Sequence, residues 1–180
     1  MRALKIAFLL AIGVILAGCA SGVSRKIETT TAPQFNTPIK VISVTAALSD
    51  AAKQKATDNY LFNLEALKVK INSELEKKSL TIGDASAKAL TVNVLIKDIR
   101  VRGEFAAVMF GFMAGSDVLI GEITLKDKDG ITVDTFDVSA SYAFGGLAGG
   151  NNETRLNWLY GKFGEEAAIE IIKKTGLKEK

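Results

Sequence analysis

The chain has 180 residues, 48% of them hydrophobic and 24% charged, with 23 Lys and Arg against 20 Asp and Glu. It contains no His and a single Cys. Those counts exclude a Ser-His-Asp or Cys-His nucleophile, a His- or thiolate-rich zinc site and an intramolecular disulfide, and neither a metal nor a cofactor is expected. In chain order, Arg2 and Lys5 form a short basic start, and the apolar run Ile6–Leu16 (IAFLLAIGVIL) follows at once. That run fits the apolar core of a signal peptide and is well short of the ~20 residues that span a bilayer.

The run ends in Leu16-Ala17-Gly18-Cys19, which resembles the lipobox of bacterial lipoproteins. The resemblance implies cleavage between Gly18 and Cys19 and acylation of Cys19. Residues 1–18 are then a lipoprotein signal peptide, and Cys19 is the membrane contact. One acyl chain attaches only marginally, whereas two or more anchor stably. Ala20 stands where an inner-membrane retention signal would place Asp, so an outer-membrane anchor facing the periplasm is expected, with the inner membrane as the alternative. Loss of Arg2 and Lys5 with the leader lowers the formal charge from +3 to +1, which gives no electrostatic reason to expect nucleic acid.

Residues 19–38 hold both prolines and many Ser and Thr without apolar periodicity, and are expected to form the lipidated start and a flexible tether. A single α+β domain is expected over residues 39–180. Ile39–Thr45 is β-branched and predicts a strand. Tyr60, Leu64, Leu67, Ile71 and Leu75 recur at helical spacing and predict a helix over Asp58–Leu80. Ser49 and Asp50 are plausible caps if Leu48–Thr57 also belongs to it. Leu90–Arg102 predicts a strand whose apolar phase changes near Lys97-Asp98, the mark of a bulge. Val118–Lys126 and Ile131–Phe144 predict an antiparallel hairpin around Asp129-Gly130. A turn centred on Lys128-Asp129 pairs residues whose numbers sum to about 257, and so sets residue 113 opposite residue 144. The last element is a helix over Glu153–Lys174 with Leu156, Leu159, Phe163, Ala167 and Ile171 on its buried stripe, Asn151 or Asn152 as cap and Gly176 as stop. The order β-α-β-β-β-α predicts a two-layer α+β sandwich, a mainly antiparallel sheet carrying two helices.

Two segments are unusual, Phe105–Ser116 (FAAVMFGFMAGS) and Phe144–Asn152 (FGGLAGGNN), and the hairpin brings both to its open end. The first reading is packing, with Phe105, Phe110 and Phe112 closing the end of the core. The other is an apolar contact surface made by Phe105, Met109, Phe110, Phe112, Met113, Phe144 and Leu147, since exposed apolar patches mark interaction sites. The glycines ahead of the last helix, with Arg155 as the nearby cation, lack the pattern of a phosphate cradle. Asp127, Asp129 and Asp134 are better explained as turn carboxylates than as a Ca²⁺ loop. Asp98 with Glu104, or Glu165 with Glu166, have nothing that places them in a catalytic cleft. Trp158 and Tyr160 are expected on the flank of the last helix against the sheet.

The stretch MFGFMAGSD at Met109–Asp117, the following VLIGEITLKDKDGITVDTFDVSASY and the FGGLAGG ahead of the last helix resemble a bacterial lipoprotein family known only as a domain of unknown function. The likeness covers roughly residues 39–175, with Gly115-Ser116 as its most specific step. More distantly, the element order is similar to auxiliary lipoproteins of ABC-type lipid transport systems. The resemblance brings no catalytic residues. The expectation is a non-enzymatic membrane-anchored lipoprotein whose periplasmic domain binds another envelope component, an envelope protein or a copy of itself. The alternative is a carrier or chaperone for an acyl chain or other apolar ligand.

Overall fold

The computed structural model describes residues 21–24, 40–59, 61–80, 89–144 and 149–175. Cys19, Gly18, Tyr60, Leu147, Gly176 and the side chain of Phe112 lie outside the described residues. Strands β1 (Gly22–Ser24), β2 (Lys40–Leu48), β3 (Ala89–Arg100), β4 (Asp117–Lys126) and β5 (Thr132–Tyr142) form one sheet in the order β1-β5-β4-β3-β2. Helices α1 (Asp50–Asp58), α2 (Leu64–Lys77), α3 (Glu104–Phe110) and α4 (Asn152–Thr175) complete the described fold, with a 3₁₀ turn over Gly111–Ala114 after α3. The α+β class and the two-layer arrangement are as the sequence predicts, but there are more helices than the two expected.

The expected helix over Asp58–Leu80 is two helices. Ser49 Oγ accepts the amide of Ala52 and starts α1, Asn59 leaves helical geometry at ψ 77°, and Asn63 Oδ1 accepts the amide of Ala66 at 2.9 Å and starts α2. Each Asn or Ser side chain offers the backbone an alternative partner, which favours caps over helix interior. Leu67, Ile71 and Leu75 form the buried stripe of α2. It packs against α4, where a Cβ on Gly164 would come within 3.2 Å of Ile71 Cα, so glycine permits the close crossing.

The sheet is mixed. β2 and β3 run parallel, joined through α1 and α2, whereas the remaining pairs are antiparallel. The register of β3 against β4 shifts between Ile96 and Asp98, where the phase change predicts a bulge. Leu119, Ile123 and Leu125 of β4 and Phe136, Val138 and Ala140 of β5 enter the core beneath α4, whose Leu156, Leu159, Phe163, Ala167 and Ile171 are buried as predicted. On the other face, Thr45 bonds Asn93 at 2.6 Å, and Lys97 spans Glu122 and Asp137 at 2.7 Å each.

The hairpin register differs by two from the sequence expectation: Asp117 faces Tyr142 and Leu125 faces Asp134, so pairs sum to 259. Asp127 and Ile131 close a three-residue loop, Gly130 takes φ +79°, Asp127 Oδ1 accepts the amides of Asp129 and Ile131, and a bulge follows at Lys126. A three-residue loop with a bulge adds residues that a two-residue turn lacks. Both unusual segments still leave the open end of the hairpin.

Gly22–Ser24 depart from the flexible tether expected over residues 19–38. They pair antiparallel with Asp137–Ser139, and Val23 packs against the core. Three residues are too few to show a period, so the pairing with β5 is invisible in local sequence. The rest of that segment lies outside the described residues.

Candidate functional site

The open end of the hairpin is built on a buried ionic cluster. Asp117 is the first residue of β4 and shares the core face with Leu119, Ile123 and Leu125. Its carboxylate is fully buried and lies between two guanidinium groups. Arg102, just past β3, donates to it from the backbone amide at 2.7 Å, from Nε at 3.1 Å and from one terminal nitrogen at 3.1 Å. Arg155, on the first turn of α4, brings Nε to 3.1 Å from Oδ2, the oxygen that a terminal nitrogen of Arg102 also meets. The contact is an ion pair whose angle falls short of a hydrogen bond. A terminal nitrogen of Arg155 donates to the carbonyl of Arg102 at 2.6 Å, and another contact reaches Asn152 Oδ1.

Arg102 also fastens both unusual segments. Its terminal nitrogens donate to the carbonyls of Gly115 at 2.7 Å, Tyr142 at 3.2 Å and Phe144 at 2.8 Å. The planar fork of arginine suits this spread of acceptors, and a lysine could not span them. Gly115 has φ +86°, which favours glycine where the chain turns into β4. Asp117 is a carboxylate in phase with an apolar strand face and needs a buried cation, and Arg155, considered only as a phosphate ligand, is one of the two that serve it.

The Phe105–Ser116 segment is mostly helical, an element that the predicted order does not contain. Ala and Met favour helix, Glu104 lies in the first turn, and the carbonyl of Gly103 accepts the amide of Ala107 at 2.9 Å. Only Ala107 of α3 is buried, so the helix turns its large apolar side chains outward. Phe105 is 72% exposed, Met113 79% and Phe144 71%, and Val108, Met109 and Phe110 are exposed as well. The reading in which Phe105 and Phe110 close the core is therefore corrected. The buried layer at this end is the Arg102–Asp117–Arg155 cluster, and the aromatics stand outside it.

Ring contacts extend the patch. Phe105 and Phe110 meet edge to face at 6.5 Å, and Tyr142 lies 5.7 Å from Phe144 and 5.0 Å from Trp158. Trp158 is 41% exposed on α4, and the hydroxyl of Tyr142 donates to the carbonyl of Gly149. Tyr160 points the other way. It is buried, accepts the amide of Asn63 at 2.9 Å and meets Phe62 edge to face, joining α4 to the start of α2. Of the predicted contact residues, Phe105, Met109, Phe110, Met113 and Phe144 share this end, while Leu147 and the side chain of Phe112 lie outside the described residues.

Three of the carboxylates weighed for acid–base chemistry have surface partners. Asp98 pairs with Lys55, and Glu165 and Glu166 both pair with Lys162. Asp127 holds the hairpin loop through backbone amides. Lys97 has its pKa raised: burial works against the ammonium, but hydrogen bonds to Asp137 and Glu122 outweigh it.

Residues 29–146, well over half the chain, match the family described as domain of unknown function DUF4410. The chain belongs to that family. The match runs from ahead of β2 to just past Phe144, so it takes in Arg102, Asp117 and all of α3, and stops before α4 and Arg155. No curated protein matches the chain. Among solved structures, the PelC dodecamer from Paraburkholderia phytofirmans is similar at 13% identity and a TM-score of 0.47, over 82% of this chain and 96% of that one; a point variant of the same dodecamer gives 12% and 0.47. A PDZ domain protein from Parabacteroides distasonis is similar at 12% identity and a TM-score of 0.36, over 83% of this chain and 35% of that one. These distant likenesses carry no argument about assembly or activity.

Proposed function

We propose that the protein is a non-enzymatic lipoprotein, anchored through Cys19 in the outer membrane, whose periplasmic domain contacts another component of the cell envelope through the open end of its hairpin. The observation that carries the reading is the exposed apolar group around Phe105, Phe110, Met113 and Phe144. An exposed aromatic and methionine patch costs solubility and marks a surface that something else covers. The buried cluster supports the same reading, because Arg102 holds the carbonyls of Gly115 and Phe144 in fixed positions and presents the patch on a rigid base.

Two measurements test this. Cys19→Ala should leave unprocessed precursor and no acylated mature form; normal acylation of that variant overturns the anchor. Photo-crosslinking in cells from positions 110 and 144 should give adducts absent from a probe at Lys128 in the distal turn. Equal labelling at all three positions overturns the assignment of the contact surface.

A further inference from the structure

We infer that the envelope component covering the apolar end is the lipid bilayer itself: the domain sits directly on the membrane, with α3, Met113 and Phe144 in the headgroup and upper acyl region. The inference rests on the lipoprotein reading above and adds the identity of what the patch meets.

The direction of β1 carries it. β1 runs antiparallel to β5, so its first residues lie beside the end of β5, where Ser21 Oγ accepts the amide of Ser141 at 3.0 Å and Ser139 donates to the carbonyl of Gly22. Phe144 lies three residues past Ser141 in sequence, and Arg102 ties its carbonyl to that of Gly115 after α3. The chain therefore enters the sheet at the end that carries the exposed aromatics. The distal Asp127–Gly130 turn is at the other end.

Cys19 is two residues ahead of Ser21. Two residues reach at most about 7 Å, whereas a single helix is about 10–12 Å across. Beside β1, no folded partner as thick as a helix fits between the sheet and the lipid that holds Cys19. The chemistry of the end suits an interface. Phe105, Phe110 and Phe144 supply apolar rings, Met109 and Met113 flexible thioethers, and Trp158 with Tyr142 the amphipathic aromatics that favour headgroup depth. Exposed charges near this end, among the described residues, include Arg100, whose Nε donates to the carbonyl of Ser116, Glu104 and Glu153 on the first turns of their helices, and the Lys55–Asp98 pair two residues before Arg100 on β3.

The test uses the acylated full protein reconstituted in vesicles of phosphatidylethanolamine and phosphatidylglycerol, with part of the lipid brominated along its acyl chains. Trp158 is the chain's only Trp. In a Trp158→Phe background, an indole is introduced by Phe110→Trp, or by Lys128→Trp as the distal control. The indole at position 110 should shift to the blue and lose most of its emission to brominated lipid, while the one at 128 keeps its emission. Phe110 is exposed, so the exchange leaves the core intact; the native protein gives a second reading through a blue shift of Trp158 on reconstitution. Mass spectrometry of the N-terminal peptide separates the failures. An unacylated Cys19 overturns the anchor and this inference together. An acylated Cys19 with no quenching at 110, or equal quenching at 110 and 128, overturns only the seating on lipid. Crosslinks from an unquenched position 110 to a protein, or to a second copy of the chain, overturn it in favour of that partner.

Discussion

Asp117→Asn offers the sharpest test of the buried cluster. The carboxylate accepts three bonds from Arg102 and faces Arg155 Nε at 3.1 Å, with no exposure to solvent. Asn is nearly isosteric and can keep the two contacts at Oδ1. Its amide nitrogen, however, sits where Arg102 and Arg155 approach Oδ2, so donor faces donor and two buried guanidinium groups lose their neutralising charge. Removing one partner from a buried ion pair costs about 3–5 kcal/mol, a large part of the ~5–15 kcal/mol that stabilises a typical fold. With a urea dependence of about 2 kcal/mol per molar, the midpoint should fall by roughly 2 M. Trp158, next to Tyr142 at the same end, reports the transition by its fluorescence. A midpoint change under about 0.5 M, equivalent to ~1 kcal/mol, refutes the argument. A cycle with Arg155→Met sharpens it: the double variant leaves one uncompensated guanidinium instead of two, and should be less destabilised than the sum of the single changes by about 1 kcal/mol or more. Simple additivity would mean that Arg155 and Asp117 do not interact.

Gly121→Val should cost about 1–3 kcal/mol by overpacking, because even a Cβ there would lie 2.9 Å from Phe163 Cζ and 3.2 Å from the carbonyl of Leu95; unchanged thermal unfolding would deny the close approach of α4 to the sheet. Ser49→Ala removes the acceptor for the amide of Ala52 and should cost ~1 kcal/mol, read as a lower unfolding midpoint, whereas Ser49→Asp should hold it. Lys97 has a raised folded pKa, so its contribution is complete below the ordinary lysine value of 10.5 and is lost as the pH rises through the folded value. Lys97→Met should therefore flatten the alkaline limb of the stability profile, and an unchanged limb would remove Lys97 as its source. Tyr160, raised by burial with the amide of Asn63 working against it, loses its contribution in the same direction above 10.0.

Much of the architecture is legible from local pattern. The stripe Leu67, Ile71, Leu75, the alternation along β4 and β5 and the bulge at Lys97 each follow from one period or its interruption. The departures have physical causes. Strand direction leaves no mark on alternation, so the parallel pairing of β2 with β3 is not written in either strand. The hairpin register depends on the left-handed Gly130 and the Asp127 side chain, which lengthen the loop. The glycine and methionine content of Phe105–Ser116 marks that segment as unusual, but a helix apolar all round reads the same whether buried or exposed. Ala107 alone of α3 is buried, and at this end of the molecule Arg102, Asp117 and Arg155 are buried as well.

The pairing of β1 with β5 joins the first and last described strands: Gly22 and Ser139 are 117 positions apart. Contacts of such long sequence separation require a costly loop closure before they return anything, and they come late in assembly. The β3-β4-β5 meander needs only neighbouring segments and can form ahead of it. The orientation of the domain relative to its own N-terminus is thus fixed only once the last strand exists to receive the first, and a chain cut short before Ser139 has no edge on which Gly22–Ser24 can settle.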